Sequence, residues 1–153
     1  MTDCRLRIGA IAMPLLVLAS ISGCGGVYDS SVTGTVTLDG TAVPRGTVTY
    51  HPTAGGPAAY ALIQEDGSYT IHTGREEGLP AGEYGVTVTA NEPPAVKQTA
   101  TGGPPPPGKA ITPEWYRSMV ASGLKFNVAS GDNEINLELK SQPPAGWNPS
   151  RQR

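Results

Sequence analysis

The chain has 153 residues, a formal net charge of -2, 20 glycines, 15 prolines and 2 cysteines, which fits one domain whose glycine and proline excess sits in turns and one linker. Its 11 basic and 13 acidic residues are spread along the sequence, so the basic footprint that nucleic acid demands is missing and no nucleic-acid partner is expected.

Residues 1–24 read MTDCRLRIGAIAMPLLVLASISGC. Arg5 and Arg7 precede an apolar run from Ile8 to Ile21 that ends in small residues, the layout of an export signal. The run of 14 residues is short of the ~20 that a bilayer-spanning helix needs, and Pro14 interrupts it. Ile21-Ser22-Gly23-Cys24 resembles the bacterial lipobox, at the right distance from a charged and then apolar leader. The resemblance implies cleavage between Gly23 and Cys24, loss of residues 1–23, a diacylglyceryl group on the Cys24 sulfur and a palmitate-type acyl chain on the new amino terminus. Several chains anchor stably where one is marginal, at ~0.8 kcal/mol per buried CH₂. The alternative is an ordinary signal peptide cleaved nearby, which leaves Cys24 free or removes it.

Cys4 falls in the leader, so an exported domain starting at Cys24 has no thiol for a disulfide, a metal site or nucleophilic catalysis. It retains 9 basic and 12 acidic residues. Gly25 and Gly26 follow the cysteine in place of the Asp that retains some lipoproteins at an inner membrane. In a two-membrane bacterium that implies the outer membrane, facing the periplasm.

Residues 24–31 are a short lipidated tether, and residues 32–140 the folded domain. Val32, Gly34, Val36 and Leu38 alternate with Thr33, Thr35 and Thr37 in a half-buried strand that ends at the turn pair Asp39-Gly40. Pro44-Arg45-Gly46 turns into a strand over Thr47–His51, and Ala59–Gln64 is the next. Asp66-Gly67 then opens a strand with Tyr69 and Ile71 on one face, and Leu79-Pro80-Ala81-Gly82 opens another with Tyr84, Val86 and Val88. The pattern then stops for residues 91–123, whose centre is TGGPPPPG. Within this proline-rich connection Thr112 reads as the N-cap of a short helix over Glu114–Val120, with Pro113 at its first position. Trp115, Tyr116 and Met119 then plug one end of the domain, or form an aromatic patch for a ligand. Leu124–Val128 and Ile135–Leu139 are the last strands, joined by a turn at Ser130-Gly131-Asp132-Asn133. Residues 141–153 read as a disordered tail. The expected fold is an all-β, seven-strand antiparallel sandwich.

The run from Val32 to Val36 with Asp39-Gly40, then Asp66–Ile71, then Leu79–Val88, resembles the carboxypeptidase regulatory-like family. The resemblance implies a prealbumin-like (transthyretin-like) Greek-key sandwich. Ile111–Tyr116, Ser122-Gly123-Leu124 and Gly131-Asp132-Asn133 are similar to the C-terminal half of small bacterial lipoproteins built on that domain. What the likeness implies is a structural or interaction module rather than an enzyme.

Chemistry finds little support in the residues. The enzymatic branch of the transthyretin-like fold uses histidines, an arginine and a C-terminal Tyr-Arg-Gly-Ser; here Tyr116-Arg117-Ser118 lacks the glycine and precedes two more strands. His51 and His72 read as surface histidines, and no nucleophile elbow, HExxH pair or phosphate loop occurs. Glu65-Asp66, Glu76-Glu77 and Asp132 offer oxygens at a spacing that matches no calcium loop, so no metal and no cofactor are expected beyond the lipid on Cys24. Tyr60, Trp115 and Trp147 are candidate ligand-contacting aromatics. The expectation is a lipoprotein anchored in the membrane whose domain acts as a non-catalytic structural or interaction module of the cell envelope, with an envelope protein or a polysaccharide as partner. The alternative is a carbohydrate-binding module at the cell surface or in the periplasm.

Overall fold

Alternation of small β-branched and hydroxyl residues makes the first and longest strand, β1 (Ser30–Leu38), with Val32 and Val36 fully buried and Thr33 and Thr35 exposed. Asp39-Gly40 closes a two-residue hairpin into β2 (Thr41–Ala42), and both turn residues take positive φ (49° and 83°). That is the type I′ geometry whose twist suits adjoining strands, and Gly40 meets its second position at no steric cost. The computed structural model of the protein describes residues 27–95 and 102–148. Residues 1–26, with the expected leader and Cys24, and Val96–Thr101 and Pro149–Arg153 lie outside the described residues.

The remaining strands are β3 (Gly46–Pro52), β4 (Ala59–Ile63), β5 (Ser68–Thr70), β6 (His72–Thr73), β7 (Glu76–Glu77), β8 (Gly82–Thr89), β9 (Lys125–Val128), β10 (Gly131–Glu134) and β11 (Leu137–Leu139). They form the expected all-β sandwich of two sheets. One sheet is antiparallel throughout, in the order β7-β6-β4-β3-β8-β9. The other is built on β1. Odd residues of β1 turn their peptide groups toward β10 and β11, as in Ile135 N–H to Thr33 O (2.8 Å) and Asp39 N–H to Leu139 O (2.9 Å). Even residues turn theirs toward β5 and β2, as in Ile71 N–H to Val32 O (2.9 Å) and Val43 N–H to Val36 O (3.0 Å).

Among the described residues the seven alternating stretches of the sequence appear as eleven strands: the two-residue β2 and β7 are added as hairpin partners of β1 and β6, and the other two additions have separate physical reasons. First, the stretch after Asp66-Gly67 changes sheets at Ile71: β5 pairs with β1, whereas His72 on β6 pairs with Tyr60 on β4. Second, the residues expected to turn at Ser130–Asn133 already belong to a strand, β10, which runs parallel to β1. The reversal is confined to Ala129 and Ser130, because Asn133 folds back over it. Its Oδ1 accepts from Ala129 N–H (3.0 Å), and its Nδ2 donates to Ala129 O (2.8 Å) and Ser31 O (3.1 Å).

Between the sheets lie Val32, Val36, Tyr69, Ile71, Leu137 and Leu139 from one side, and Val48, Tyr50, Ala61, Ile63, Val86 and Val88 from the other. Two poles result. At the first, where β1 begins, Asp29 accepts from Ser130 Oγ (3.1 Å) and Ala81 N–H (3.3 Å), its carbonyl accepts from Gly131 N–H (2.8 Å), and Ser30 Oγ donates to Leu79 O. At the opposite pole β8 ends and the long connection starts. Its base is pinned where Glu92 N–H donates to Lys109 O (2.7 Å) and Ile111 N–H to Ala90 O (2.9 Å).

The expected helix is a single 3-10 turn, Glu114–Arg117. Thr112 is not its N-cap: the buried Thr112 Oγ1 accepts from Ala90 N–H (2.9 Å) and so fastens the connection to the end of β8. Pro113 stands at the cap position with no side-chain acceptor, and the turn stops at Arg117. Beyond it Val120 is exposed, and Met119 lies over Gly85 on the outer side of β8.

Candidate functional site

The aromatic residues divide into two groups. Trp115 and Tyr116 are buried, and Trp147 packs edge-on against Trp115 with ring centroids 5.1 Å apart. Tyr116 Oη accepts from Lys140 N–H (2.8 Å) at the end of β11. Trp115 and Tyr116 close the pole at which the long connection starts, with the partly buried Trp147 against Trp115, whereas Met119, expected in the same plug, is 43 % exposed. Residues 141–148 carry no strand or helix. Even so, Trp147 holds that segment against the domain.

Tyr60 is different: it is 47 % exposed, and Leu62 on the same face of β4 is 66 % exposed. Both border a surface groove of about 340 Å³ along the seam between β4 and β5, with Gln64, Ser68, Thr70 and His72 on its walls. Tyr60 Oη donates to Gly74 O (3.2 Å), which fixes the ring across the strand from His72. His72 Nδ1 lies 3.1 Å from Thr70 O. A carbonyl can only accept, so Nδ1 is the donor in this contact. The groove therefore presents a ring, hydroxyls, an amide and an imidazole, which suit recognition by hydrogen bonding. Ser68 Oγ donates to the Asp66 carboxylate (2.6 Å) rather than to a histidine.

The three residues weighed for catalysis are not brought together. His51, on β3, meets Thr87 Oγ1 (3.2 Å), with β4 between it and His72. Arg117 donates from the far pole to Asn91 Oδ1 (3.1 Å). Of the candidate metal oxygens, those of Asp66 and Asp132 are engaged locally. Asp66 accepts from both the hydroxyl and the amide of Ser68, and those bonds hold its carboxyl below the ordinary range. Asp132 accepts from Ser31 Oγ (2.7 Å). Among the described residues no three of His, Cys, Asp and Glu converge on one point.

Two features escaped the sequence reading. One is a buried chain of hydroxyls: Tyr69 Oη donates to Ile135 O (2.6 Å), and since that uses its one proton, Tyr50 Oη donates to Tyr69 Oη (2.9 Å). The other is the free side of β10 and β11, where Asp132, Glu134, Asn136 and Glu138 are exposed. The alternation of acidic residues there was visible, but nothing local marks a strand as an edge.

Searches against family models, curated proteins and solved structures return no match for this chain.

Proposed function

We propose that the chain is an exported lipoprotein, anchored through Cys24, whose sandwich serves as a non-catalytic interaction module of the cell envelope. The observation that carries the reading is the lipobox-like Ile21-Ser22-Gly23-Cys24, which stands five residues before Asp29. Asp29 is the residue at which the folded body begins. Five residues reach at most about 18 Å, so a lipid on Cys24 holds the first pole of the sandwich against the membrane and turns the proline-rich connection away from it. The separation of His51, His72 and Arg117 supports a role without turnover.

The test is intact mass and membrane fractionation of the chain expressed with its own leader, beside Cys24→Ser. The expected result is a lipid-sized mass gain on a chain that starts at Cys24, with both the gain and the membrane association lost in the variant. An unmodified chain in the soluble fraction removes the anchor.

The polysaccharide alternative rests on the groove beside Tyr60, where the one well-exposed candidate aromatic meets several hydrogen-bonding groups. If the groove binds envelope polysaccharide, Tyr60→Ala lowers affinity by roughly 1–3 kcal/mol in calorimetry, the scale of a lost aromatic anchor. Unchanged heats in the variant discard this reading.

A further inference from the structure

From the free side of β10 and β11 we infer a docking edge for an extended, cationic polypeptide segment, which adds to the sheet as a further strand. The inference gives the interaction reading a particular surface and does not depend on the lipid anchor.

Backbone parity carries it. The bonds to β1 run through odd residues: Gly131 N–H to Asp29 O (2.8 Å), Ile135 N–H to Thr33 O (2.8 Å), and Leu139 O from Asp39 N–H (2.9 Å). The registers Ser30↔Gly131 and Leu38↔Leu139 have the same offset, so β10 and β11 form one strand along one side of β1. The peptide groups of Asp132, Glu134, Asn136 and Glu138 therefore point away from β1, and among the described residues no strand pairs with them. The next outward amide, Lys140 N–H, is taken by Tyr116 Oη, which ends the open stretch. From Asp132 to Glu138 the edge is about 20 Å long, room for an ordinary strand of six or seven residues. The opposite sheet ends on the shorter β7 and β9.

The side chains choose the occupant. Asp132, Glu134 and Glu138 project from the same face of this edge. Among the described residues the oxygens of the first two meet neutral donors, Ser31 Oγ at 2.7 Å and Asn136 Nδ2 at 3.2 Å. A second copy paired edge to edge sets acidic residues against acidic residues, which is destabilising, whereas a strand with Lys or Arg at alternate positions sets opposite charges across each pair. Main-chain bonds then supply affinity and the acidic row supplies selectivity.

The probe is an end-blocked heptapeptide of alternating lysine and threonine, added to the isotopically labelled full-length chain in zwitterionic detergent at low salt. Binding is expected to slow amide exchange at Asp132, Glu134 and Glu138, while the odd-numbered neighbours, already bonded to β1, change little. Glu134→Pro removes an outward N–H without touching the ladder to β1, and should weaken binding about tenfold or more. If that variant does not fold, Glu134→Gln/Glu138→Gln keeps every amide and should also weaken binding, with the salt dependence reduced. The same composition with its lysines adjacent should bind less well. Two results overturn the inference: no binding of the alternating peptide, which makes the acidic row a guard against edge pairing only, or equal binding of both peptides without amide protection, which is surface adsorption.

Discussion

Replacing Gly34 by alanine is expected to destabilise the protein by about 3 kcal/mol or more, and to lower its melting temperature by roughly 10 °C. Gly34 is in β1 with ordinary extended backbone, so conformational freedom is not what it provides. It provides room. A Cβ there would overlap the Ile135 carbonyl and would lie 3.2 Å from Tyr69 Cε1. The carbonyl cannot retreat, because it is aimed at the Tyr69 hydroxyl, which donates to it at 2.6 Å. The ladder is already adjusted to this aim. Thr35 N–H donates to Asn136 Oδ1 (2.9 Å) in place of a backbone carbonyl, and Thr35 Oγ1 donates to the same oxygen (2.9 Å). Alanine must therefore push β10 and β11 off β1 or break the Tyr69 bond. Thermal unfolding by circular dichroism measures the effect, and Gly40→Ala is a useful comparison, since nothing lies within 4 Å of a Cβ at Gly40 and only its positive φ resists the change. A Gly34→Ala protein that melts like the parent refutes the close approach.

The second large effect belongs to Tyr69→Phe. Tyr69 and Tyr50 are buried (2 % and 0 % exposed) and joined through their hydroxyls. Removing the Tyr69 hydroxyl leaves both the Ile135 carbonyl and the Tyr50 hydroxyl without partners, a cost of about 3 kcal/mol. Tyr50→Phe removes only the outer donor and should cost about 1 kcal/mol. With the chain acting as a unit, the double variant loses less than the sum of the two, which urea denaturation of all four proteins measures.

The same pair sets a limit in alkali. Burial pushes the Tyr69 phenol up to about 12, partly opposed by the hydrogen bond from Tyr50, and burial above all raises Tyr50 as well. In the unfolded chain both ionise near 10.0. Below pH 10 their contribution to stability is complete. Between pH 10 and about 12 the unfolded chain releases protons that the folded chain keeps, so stability falls as pH rises, by up to ~1.4 kcal/mol per unit for each tyrosine. Urea midpoints at pH 9, 10 and 11 should decline in the upper interval, with phenolate absorbance from these two rings appearing only on unfolding. A midpoint that stays constant to pH 11 contradicts their burial.

Alternation made most of the strands legible. The valines of β1 and β8 and the turn pairs Asp39-Gly40 and Asp66-Gly67 mark faces and reversals within a few residues of chain, and the structure keeps them. Pairing was less legible. That β1 lies parallel to β10 and β11, 101 positions later in sequence, leaves no local trace, because alternating residues serve either strand direction. The sheet change at Ile71 is hidden for the same reason: Tyr69 and Ile71 share a face whether or not the strand continues. Thr112 misled because a Thr-Pro pair carries the signature of a helix start, whereas its hydroxyl was needed by Ala90. Gly34 read only as one residue of the alternation, because the Ile135 carbonyl that approaches it is far off in sequence. At the candidate sites, Tyr60 could be named but its exposure could not. Trp115 and Trp147 were named as separate candidates, and the structure packs them against each other, a pairing that local sequence does not show.

The parallel ladder of the first and last strands also decides how the molecule carries load. The chain enters at Ser30 at one end of the sandwich and leaves beyond Leu139 at the other. Tension between a tethered N-terminus and anything gripping the C-terminal segment therefore acts along β1 and β11 in opposite directions. Such a pull is shear: the backbone bonds from Ser30 to Leu38 are strained together, and none can open alone as the first tooth of a zipper. Asp29, Asn133 and Asn136 fasten the same seam with side-chain bonds. The domain is thus braced along the line that joins its two ends.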